Sequence, residues 1–292
     1  MKHPRLILAT AAIAALALGG CGDDGEPAAS SAASTTTADG SGSSTTAPPA
    51  TTTTAPAGPL RILVTNDDGY DADGIDALVQ ALRDLPDVEI RVVAPLTNQS
   101  GTSDTTSPGE LEVSAVETKG GYPAVAVVGY PADSVNYALD ELMTDAPPDL
   151  VVSGSNEGQN LGILVDVSGT VGAARTAARR GIPALAVSQG LADPPDYAAG
   201  VGAALEWIIQ HRAEIVAFEG DTAEVWNINA PSCVAGEVRG VLEVPAATVQ
   251  TGDEIVPEVD CTVTFEDPVN DTEAFKWGFI TLSEVGAEKL AA

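Results

Sequence analysis

Two adjacent carboxylates, Asp67 and Asp68, follow the apolar run Arg61-Ile62-Leu63-Val64-Thr65 and stand within Asn66-Asp67-Asp68-Gly69. The run has the length of a buried strand, so both acids fall at its carboxyl end, where open α/β sheets bind their ligands. Like charges at one strand end repel unless something neutralises them. A hard divalent cation such as Mg²⁺ or Mn²⁺ does so, taking oxygen from one or two carboxylates and keeping positions for water and phosphate. A solvated Asx turn with no ligand is the other reading of the same tetrapeptide.

Two further strand ends carry oxygen-rich loops. Ile90 to Pro95 leads into Asn98-Gln99-Ser100-Gly101-Thr102-Ser103, and Leu150-Val151-Val152 into Ser153-Gly154-Ser155-Asn156-Glu157-Gly158-Gln159-Asn160. In a parallel sheet these loops open on one edge. A fourth segment, Ser168-Gly169-Thr170-Val171-Gly172-Ala173-Ala174-Arg175, reads as a helix start whose small residues and free N–H groups suit a phosphate. A cation at the first three and an anion at the fourth make a phosphate-processing site.

These segments, with Gly129-Tyr130-Pro131-Ala132-Asp133, Asn160-Leu161-Gly162, Gly181-Ile182-Pro183-Ala184-Leu185-Ala186-Val187-Ser188 and Asn227-Ile228-Asn229-Ala230-Pro231, come in the order found in a known family. From Leu60 to about Leu282 the chain resembles the SurE-type survival proteins, metal-dependent 5′/3′-nucleotidases. The resemblance implies one divalent cation per subunit, Mg²⁺ or Mn²⁺ with Co²⁺ also compatible, on Asp67, Asp68, Ser100 and Asn156. It implies substrate or phosphate contacts from Asn66, Asn160, Ser168, Gly169 and Thr170. Asp67 and Asp68 are the expected catalytic pair, Asp68 being preferred for orienting or deprotonating the attacking water. Where the family usually has Gly-Thr-Pro-Ala-Asp-Cys this chain has Tyr130 and Ser134, and its next loop has Ile163, Leu164 and Val167 in place of acidic residues and a Tyr. Those changes spare the metal ligands and bear on substrate preference.

The function expected is a metal-dependent phosphomonoesterase acting on nucleoside 5′/3′-monophosphates or similar small esters. A lipoprotein that captures a phosphorylated ligand without turnover is the alternative, since fold does not decide function. Hydrolysis needs the intact Asp67-Asp68 pair and Asn156, whereas capture does not.

Several other chemistries are excluded. Once His3 leaves with the leader, the single remaining histidine is His211, in the amphipathic run Leu205 to Arg212, which disfavours His-rich zinc sites, histidine phosphatases and Ser-His-Asp hydrolases. No G-x-S-x-G elbow occurs. Aligning Gly74 with the glycine of an EF-hand puts Gly69 at the first ligand position and Gln80 at the twelfth, so that reading fails. Asp73 is expected to cap a helix from Gly74 to Leu85. The formal charge of −29 becomes −31 when Lys2 and Arg5 are removed with the leader, since residues 1–20 hold no acid. Such a chain is a poor partner for duplex nucleic acid or anionic lipid.

Residues 1–20 read as a lipoprotein signal peptide: Lys2 and Arg5 precede an apolar run from Leu6 to Leu18 too short to span a bilayer. The run ends in Leu18-Gly19-Gly20-Cys21, which resembles a lipobox with Cys21 as the lipidated residue. Residues 21–59, rich in Ser, Thr, Ala, Pro and Gly, are expected to form a disordered tether. The place of action is then extracytoplasmic, with the protein lipid-anchored to a bacterial membrane. In that oxidising setting Cys233 and Cys261 are expected to pair, the alternative being two separate buried thiols.

Residues 60–292 are read as one α/β domain. The expected elements are a strand at 61–65, helix 74–85, strand 88–94, strands near 110–117 and 123–128, and helix 132–143. Strand 149–153, helix 170–180, strand 184–188, helix 197–217 and strand 224–229 follow. This alternation predicts a three-layer, largely parallel Rossmann-like sheet with helices on both faces. Val238 onward is richer in Val and Thr and reads as a C-terminal β-hairpin extension. In the resembled family such extensions exchange between subunits, and a homodimer is compatible with the sequence.

Overall fold

A computed structural model describes residues 58–249, 258–263 and 267–289. The expected signal peptide, Cys21 and all but the last two residues of the tether lie outside the described residues. The first strand, β1 (Leu60–Thr65), is buried on both faces, with Ile62 and Val64 packing to one side and Leu63 to the other. Such two-sided burial belongs to a parallel sheet covered by two helix layers. Around it lie β2 (Val88–Pro95), β3 (Glu112–Glu117), β4 (Pro123–Val128), β5 (Leu150–Glu157), β6 (Ala184–Gln189) and β7 (Val225–Ala230). The strands β1, β2, β4, β5, β6 and β7 run parallel, so their carboxyl ends share one edge.

Helix α1 (Asp73–Arg83) offers Ile75, Leu78, Val79 and Leu82 at helical spacing to one core, which α4 (Ala198–Val216) completes with Val201, Ala204, Trp207 and Ile208. The opposite core is closed by α2 (Pro131–Tyr137), which continues as a π turn over Ala138–Leu142, and by α3 (Gly169–Ala178). The small residues of α3 let neighbours approach closely: a Cβ on Gly172 would collide with the Ser103 carbonyl of the loop after β2. Asp73 does not cap α1. The cap position is Ala72, and Asp73 is the first helical residue, ion-paired with Lys119.

The C-terminal extension adds β8 (Cys233–Ala235), β9 (Arg239–Glu243), β10 (Val259–Asp260), α5 (Asp271–Lys276) and β11 (Phe279–Glu284). Among the described residues the main sheet has nine strands in the order β3-β4-β2-β1-β5-β6-β7-β11-β9. Antiparallel pairing in the extension is made by β11 with β7, while β9 lies parallel to β11. Strands β8 and β10 form a separate pair stapled by the Cys233–Cys261 disulfide, whose Cα atoms are 5.7 Å apart.

Candidate active site

The turn after β1 is fixed by Asn66, whose side-chain oxygen accepts from the Gly69 N–H at 3.2 Å while its amide donates to the Gly69 carbonyl at 2.9 Å. Gly69 sits at φ +110°, a conformation that favours glycine. This closed loop sends the two aspartates to different partners. Asp67 is buried. Its carboxylate accepts from Thr170 Oγ1 at 2.5 Å and from the N–H groups of Gly169 and Thr170 at the start of α3. A Cβ on Gly169 would lie 2.7 Å from Asp67 Cβ, so only glycine lets the acid seat against the helix end.

Asp68 is half-buried and gathers the other two loops. It accepts from Asn98 Nδ2 and from the Glu157 N–H, each at 3.0 Å. Asn98 in turn accepts from the Ser100 N–H at 2.9 Å, and the Gln99 N–H donates to the Asp67 carbonyl at 2.6 Å. The loop after β2 is thereby tied to both aspartates, with Ser100 exposed at its turn.

Asn156 reaches the same edge through an irregularity in β5. Ser153 pairs with Ala186 but Asn156 with Ser188, so β5 holds one extra residue against β6, a bulge that re-aims the side chains beyond it. Gly154 makes this possible at φ +135°, where a Cβ would collide with the Val187 carbonyl. The Asn156 amide donates to the Gly158 carbonyl at 2.5 Å, which leaves its side-chain oxygen as the atom available to a ligand.

The electrostatics are unusual for so acidic a cluster. Burial pushes the Asp67 carboxyl up from its ordinary value, against the pull of the Thr170 hydroxyl and the helix N–H groups. Asp68 is pushed up to about 7, first by burial and then by the charge of Asp67, with the Glu157 N–H and Asn98 opposing. The leading causes of both shifts are burial, hydrogen bonds and neighbouring acids, with no lysine or arginine among them. Among the described residues no group of three or more His, Cys, Asp or Glu could hold a metal. What converges is a mixed oxygen set of two carboxylates, a hydroxyl and an amide carbonyl. Two desolvated carboxylates with no cationic side chain fit a hard divalent cation, and an all-oxygen set with two formal charges suits Mg²⁺ or Mn²⁺ better than a thiophilic ion.

The residues expected to touch phosphate are partly engaged within the protein. Asn66 gives one amide N–H to the Gly69 carbonyl, and Asn160, buried, gives one to Ser188 Oγ at 2.9 Å while Asn227 and Asn229 cap its backbone carbonyl. Each brace uses one of the two N–H donors that a carboxamide carries. Thr170 and Gly169 serve Asp67 rather than an open anion site. Ser168 caps α3 by accepting from the Val171 N–H at 3.1 Å, which leaves its hydroxyl hydrogen to donate.

Sequence reasoning quoted Asn98 within a motif without assigning it the bridge between Asp68 and Ser100. It also missed two buried charges. Arg175 donates to the Val165 carbonyl, to Asp166 and to the Val285 and Gly286 carbonyls, clamping the 3₁₀ segment Gly162–Asp166. Asp271, at the start of α5, accepts from the Gly162 and Ala247 N–H groups at 2.8 and 2.9 Å. Both are ordinary charged residues in the sequence, and only tertiary pairing marks them.

The fold and this edge define a class: Rossmann-like α/β proteins that gather an acidic oxygen cluster and a helix start at the carboxyl ends of parallel strands. The model of the family described as Survival protein SurE matches residues 62–252, and the chain belongs to that family. It is 42% identical over 184 residues to the 5′-nucleotidase SurE of Syntrophobacter fumaroxidans, a match covering 62% of this chain and 70% of that protein. It is 43% identical over 199 residues to 5′-nucleotidase SurE 1 of Burkholderia lata, covering 67% and 74%. The crystal structure of the SurE protein from Aquifex aeolicus shares the fold, with a TM-score of 0.62 at 24% identity over 79% of this chain and 94% of that one.

Proposed function

We propose that this protein is a divalent-metal-dependent phosphomonoesterase of the 5′/3′-nucleotidase type. It acts outside the cytoplasm, anchored by a lipid on Cys21, on nucleoside monophosphates or similar small esters. The observation that carries the reading is the Asp67-Asp68 pair, desolvated at the sheet edge without a cationic side chain, in a chain whose relatives are named 5′-nucleotidases. Asp67, Asp68, Ser100 and Asn156 would hold the cation. When bound, it supplies Lewis-acid polarisation of a phosphate oxygen and a lowered pKa for water.

The residues of the chain do the positioning. Thr170 and the start of α3 fix the Asp67 carboxylate, and Asn98 with the Glu157 N–H fixes that of Asp68. Of the two acids Asp68 is the one solvent reaches, so it orients the attacking water and accepts its proton. The Ser168 hydroxyl donates to a phosphate oxygen beside it. Preset donors and acceptors of this kind stabilise developing charge without reorganising during the reaction.

The test is phosphate release from nucleoside monophosphates and p-nitrophenyl phosphate, in EDTA and with Mg²⁺, Mn²⁺ or Co²⁺ restored. Metal-dependent release is expected, with Asp67→Asn and Asp68→Asn each lower by at least about 10². Metal-dependent binding without release would favour the capture reading, and near-normal turnover in both variants would remove the pair from the mechanism. For the anchor, Cys21→Ser should move the protein out of the membrane fraction with activity intact.

A further inference from the structure

The end of β5 is held from behind by the start of α4, and the residue that makes the contact is a tyrosine. Tyr197, which caps α4, is 8% exposed and packs in the core that α1 and α4 share. Its hydroxyl leaves that core for the reacting edge, where the Glu157 carboxylate is its hydrogen-bond partner and Asp68 lies close by. A buried phenol needs an acceptor, and this one takes it from an exposed side chain beside two proposed metal ligands. We propose that Tyr197 is a positioning residue for the hydrolysis: its hydroxyl holds Glu157, and Glu157 holds Asp68 and Asn156 where the cation needs them. The proposal rests on the phosphomonoesterase reading and adds to it a residue that touches neither metal nor substrate.

Glu157 is joined to both ligands. Its N–H donates to Asp68 Oδ2 at 3.0 Å, one of the two side-chain bonds that aim this acid, and its peptide bond follows directly from Asn156. It is also the last residue of β5, beyond the bulge at Gly154, where it pairs with Gln189 of β6. An exposed glutamate at a strand end is free to swing, and this one is driven to do so by the negative charge of Asp68. A phenolic donor on its carboxylate opposes that drift and so keeps the backbone N–H of the same residue on target.

Tyr197 is itself fixed well enough to serve as the brace. A Cβ on Gly74, in the first turn of α1, would stand 2.9 Å from Tyr197 Cε1 and would collide with the Ser155 carbonyl, so α1 gives up a side chain where the phenol ring meets the bulge. The Gly200 N–H, in the first turn of α4, donates at 3.0 Å to Gln189 Oε1, and Gln189 is the ladder partner of Glu157. The start of α4 is thereby tied to the end of β5 twice, through Tyr197 and through Gln189. Burial first, then the charges of Glu157, Asp68 and Asp73, push the Tyr197 phenol up from its ordinary value, so it remains a donor throughout the working pH range. A phenylalanine ring would fill the same space in the core; the hydroxyl is the part that serves the edge.

The experiment compares full-length wild type, Tyr197→Phe, Glu157→Ala, Glu157→Gln and the double variant Tyr197→Phe/Glu157→Ala, by calorimetric titration with Mn²⁺ and by kcat and KM for AMP. Tyr197→Phe should melt close to wild type in EDTA, since the ring stays in place. Its kcat should nevertheless fall about tenfold with KM little changed, and its Kd for Mn²⁺ should rise by a similar factor, the scale on which groups that orient metal ligands act. Glu157→Ala should match it, and Glu157→Gln, which keeps an acceptor for the phenol, should recover most of the loss. The double variant should be no worse than either single one, because both remove the same link. If wild type turns over and Tyr197→Phe keeps its kcat and Kd, or if the two losses multiply in the double variant, the brace is refuted and the phosphomonoesterase reading stands. If wild type releases no phosphate with any of the three metals, that reading falls and the Mn²⁺ titration decides the brace alone: weaker binding in Tyr197→Phe sustains it, and unchanged binding ends it. A wild type that binds no Mn²⁺ overturns both.

Discussion

Replacing Asp68 by Asn should stabilise the metal-free protein at alkaline pH and leave it almost unchanged at acid pH. The fold raises the Asp68 pKa from 3.8 to about 7, so between those values the folded protein holds a proton that the unfolded chain releases. For an acid with a raised pKa, stability is therefore greatest below the unfolded pKa and is lost as pH rises through the folded one. At about 1.36 kcal/mol per unit the full loss is about 4 kcal/mol, and the solvent-facing part of this half-buried group brings the expected figure nearer 2–3 kcal/mol. Asn is the neutral counterpart of the protonated acid and carries no such penalty. Thermal unfolding in EDTA should give a variant that melts roughly 5–10 °C above wild type at pH 8.5, and within about 2 °C of it at pH 4.5. Added Mn²⁺ should reverse the order at pH 8.5, because wild type gains binding free energy that the amide cannot match. A variant without a gain at pH 8.5, or with the same gain at both pH values, would show that Asp68 is not a desolvated charge next to Asp67.

Thr170→Val removes the 2.5 Å hydrogen bond to the buried Asp67 carboxylate and should cost about 1–3 kcal/mol in urea unfolding, together with a loss of turnover that Thr170→Ser restores. Asp271→Asn keeps one acceptor where two N–H groups, from Gly162 and Ala247, need partners, so at neutral pH a cost of about 1–3 kcal/mol is set against relief of a buried charge. Because burial raises the Asp271 pKa, wild-type stability should decline as pH rises through its folded value, and the variant should lose that part of the slope. Reduction of Cys233–Cys261, which closes a separation of 28 residues, should cost about 3.5 kcal/mol on the chain-entropy model, measured as a melting shift in dithiothreitol.

How much was legible in the sequence follows from where the physics is local. The apolar runs that became β1, β5, β6 and β7, and the second half of β2, are buried on both faces, and their composition alone carries that information. The position of Asp67 and Asp68 at the end of β1 comes with the run. The partners of those acids do not, because Thr170 stands 103 residues from Asp67 and Glu157 stands 89 from Asp68. The sequence reading ended β5 at residue 153, and the strand runs to Glu157 through the bulge at Gly154, a glycine that looks like a loop signal until β6 pairs beyond it. Asp73 resembled a helix cap because it precedes Gly-Ile-Asp, but Lys119, on a distant loop, provides its partner. Helix α5 was hidden in a segment read as extended. Its signal was the cap, Asn270 accepting from the Glu273 N–H at 3.0 Å, with the Val and Thr around it masking the helical spacing.

The way the site is wired bears on what metal removal should do. The chain carries a formal charge of −29, and Arg175, the buried cation of α3 itself, is spent on Asp166 and three carbonyls rather than on a ligand. The positive end of α3 is likewise engaged, because its first N–H groups hold Asp67. That arrangement opposes the burial penalty on the Asp67 carboxylate and aims it before any cation arrives, at the expense of a ready anion-binding helix end. Asn66 and Asn160 each spend one amide N–H on a neighbour, so the side-chain donors left for phosphate among the residues first assigned to it, their second N–H groups and the Ser168 hydroxyl, are all neutral. On the proposed reading, then, the cation is needed to retain substrate as well as to turn it over. Isothermal titration with inorganic phosphate should give saturable binding in the Mn²⁺-loaded protein and none at the same concentrations in EDTA. Equal phosphate affinity with and without metal would mean that another cationic or N–H group holds the anion, and the assignment of the α3 start to Asp67 alone would have to be abandoned.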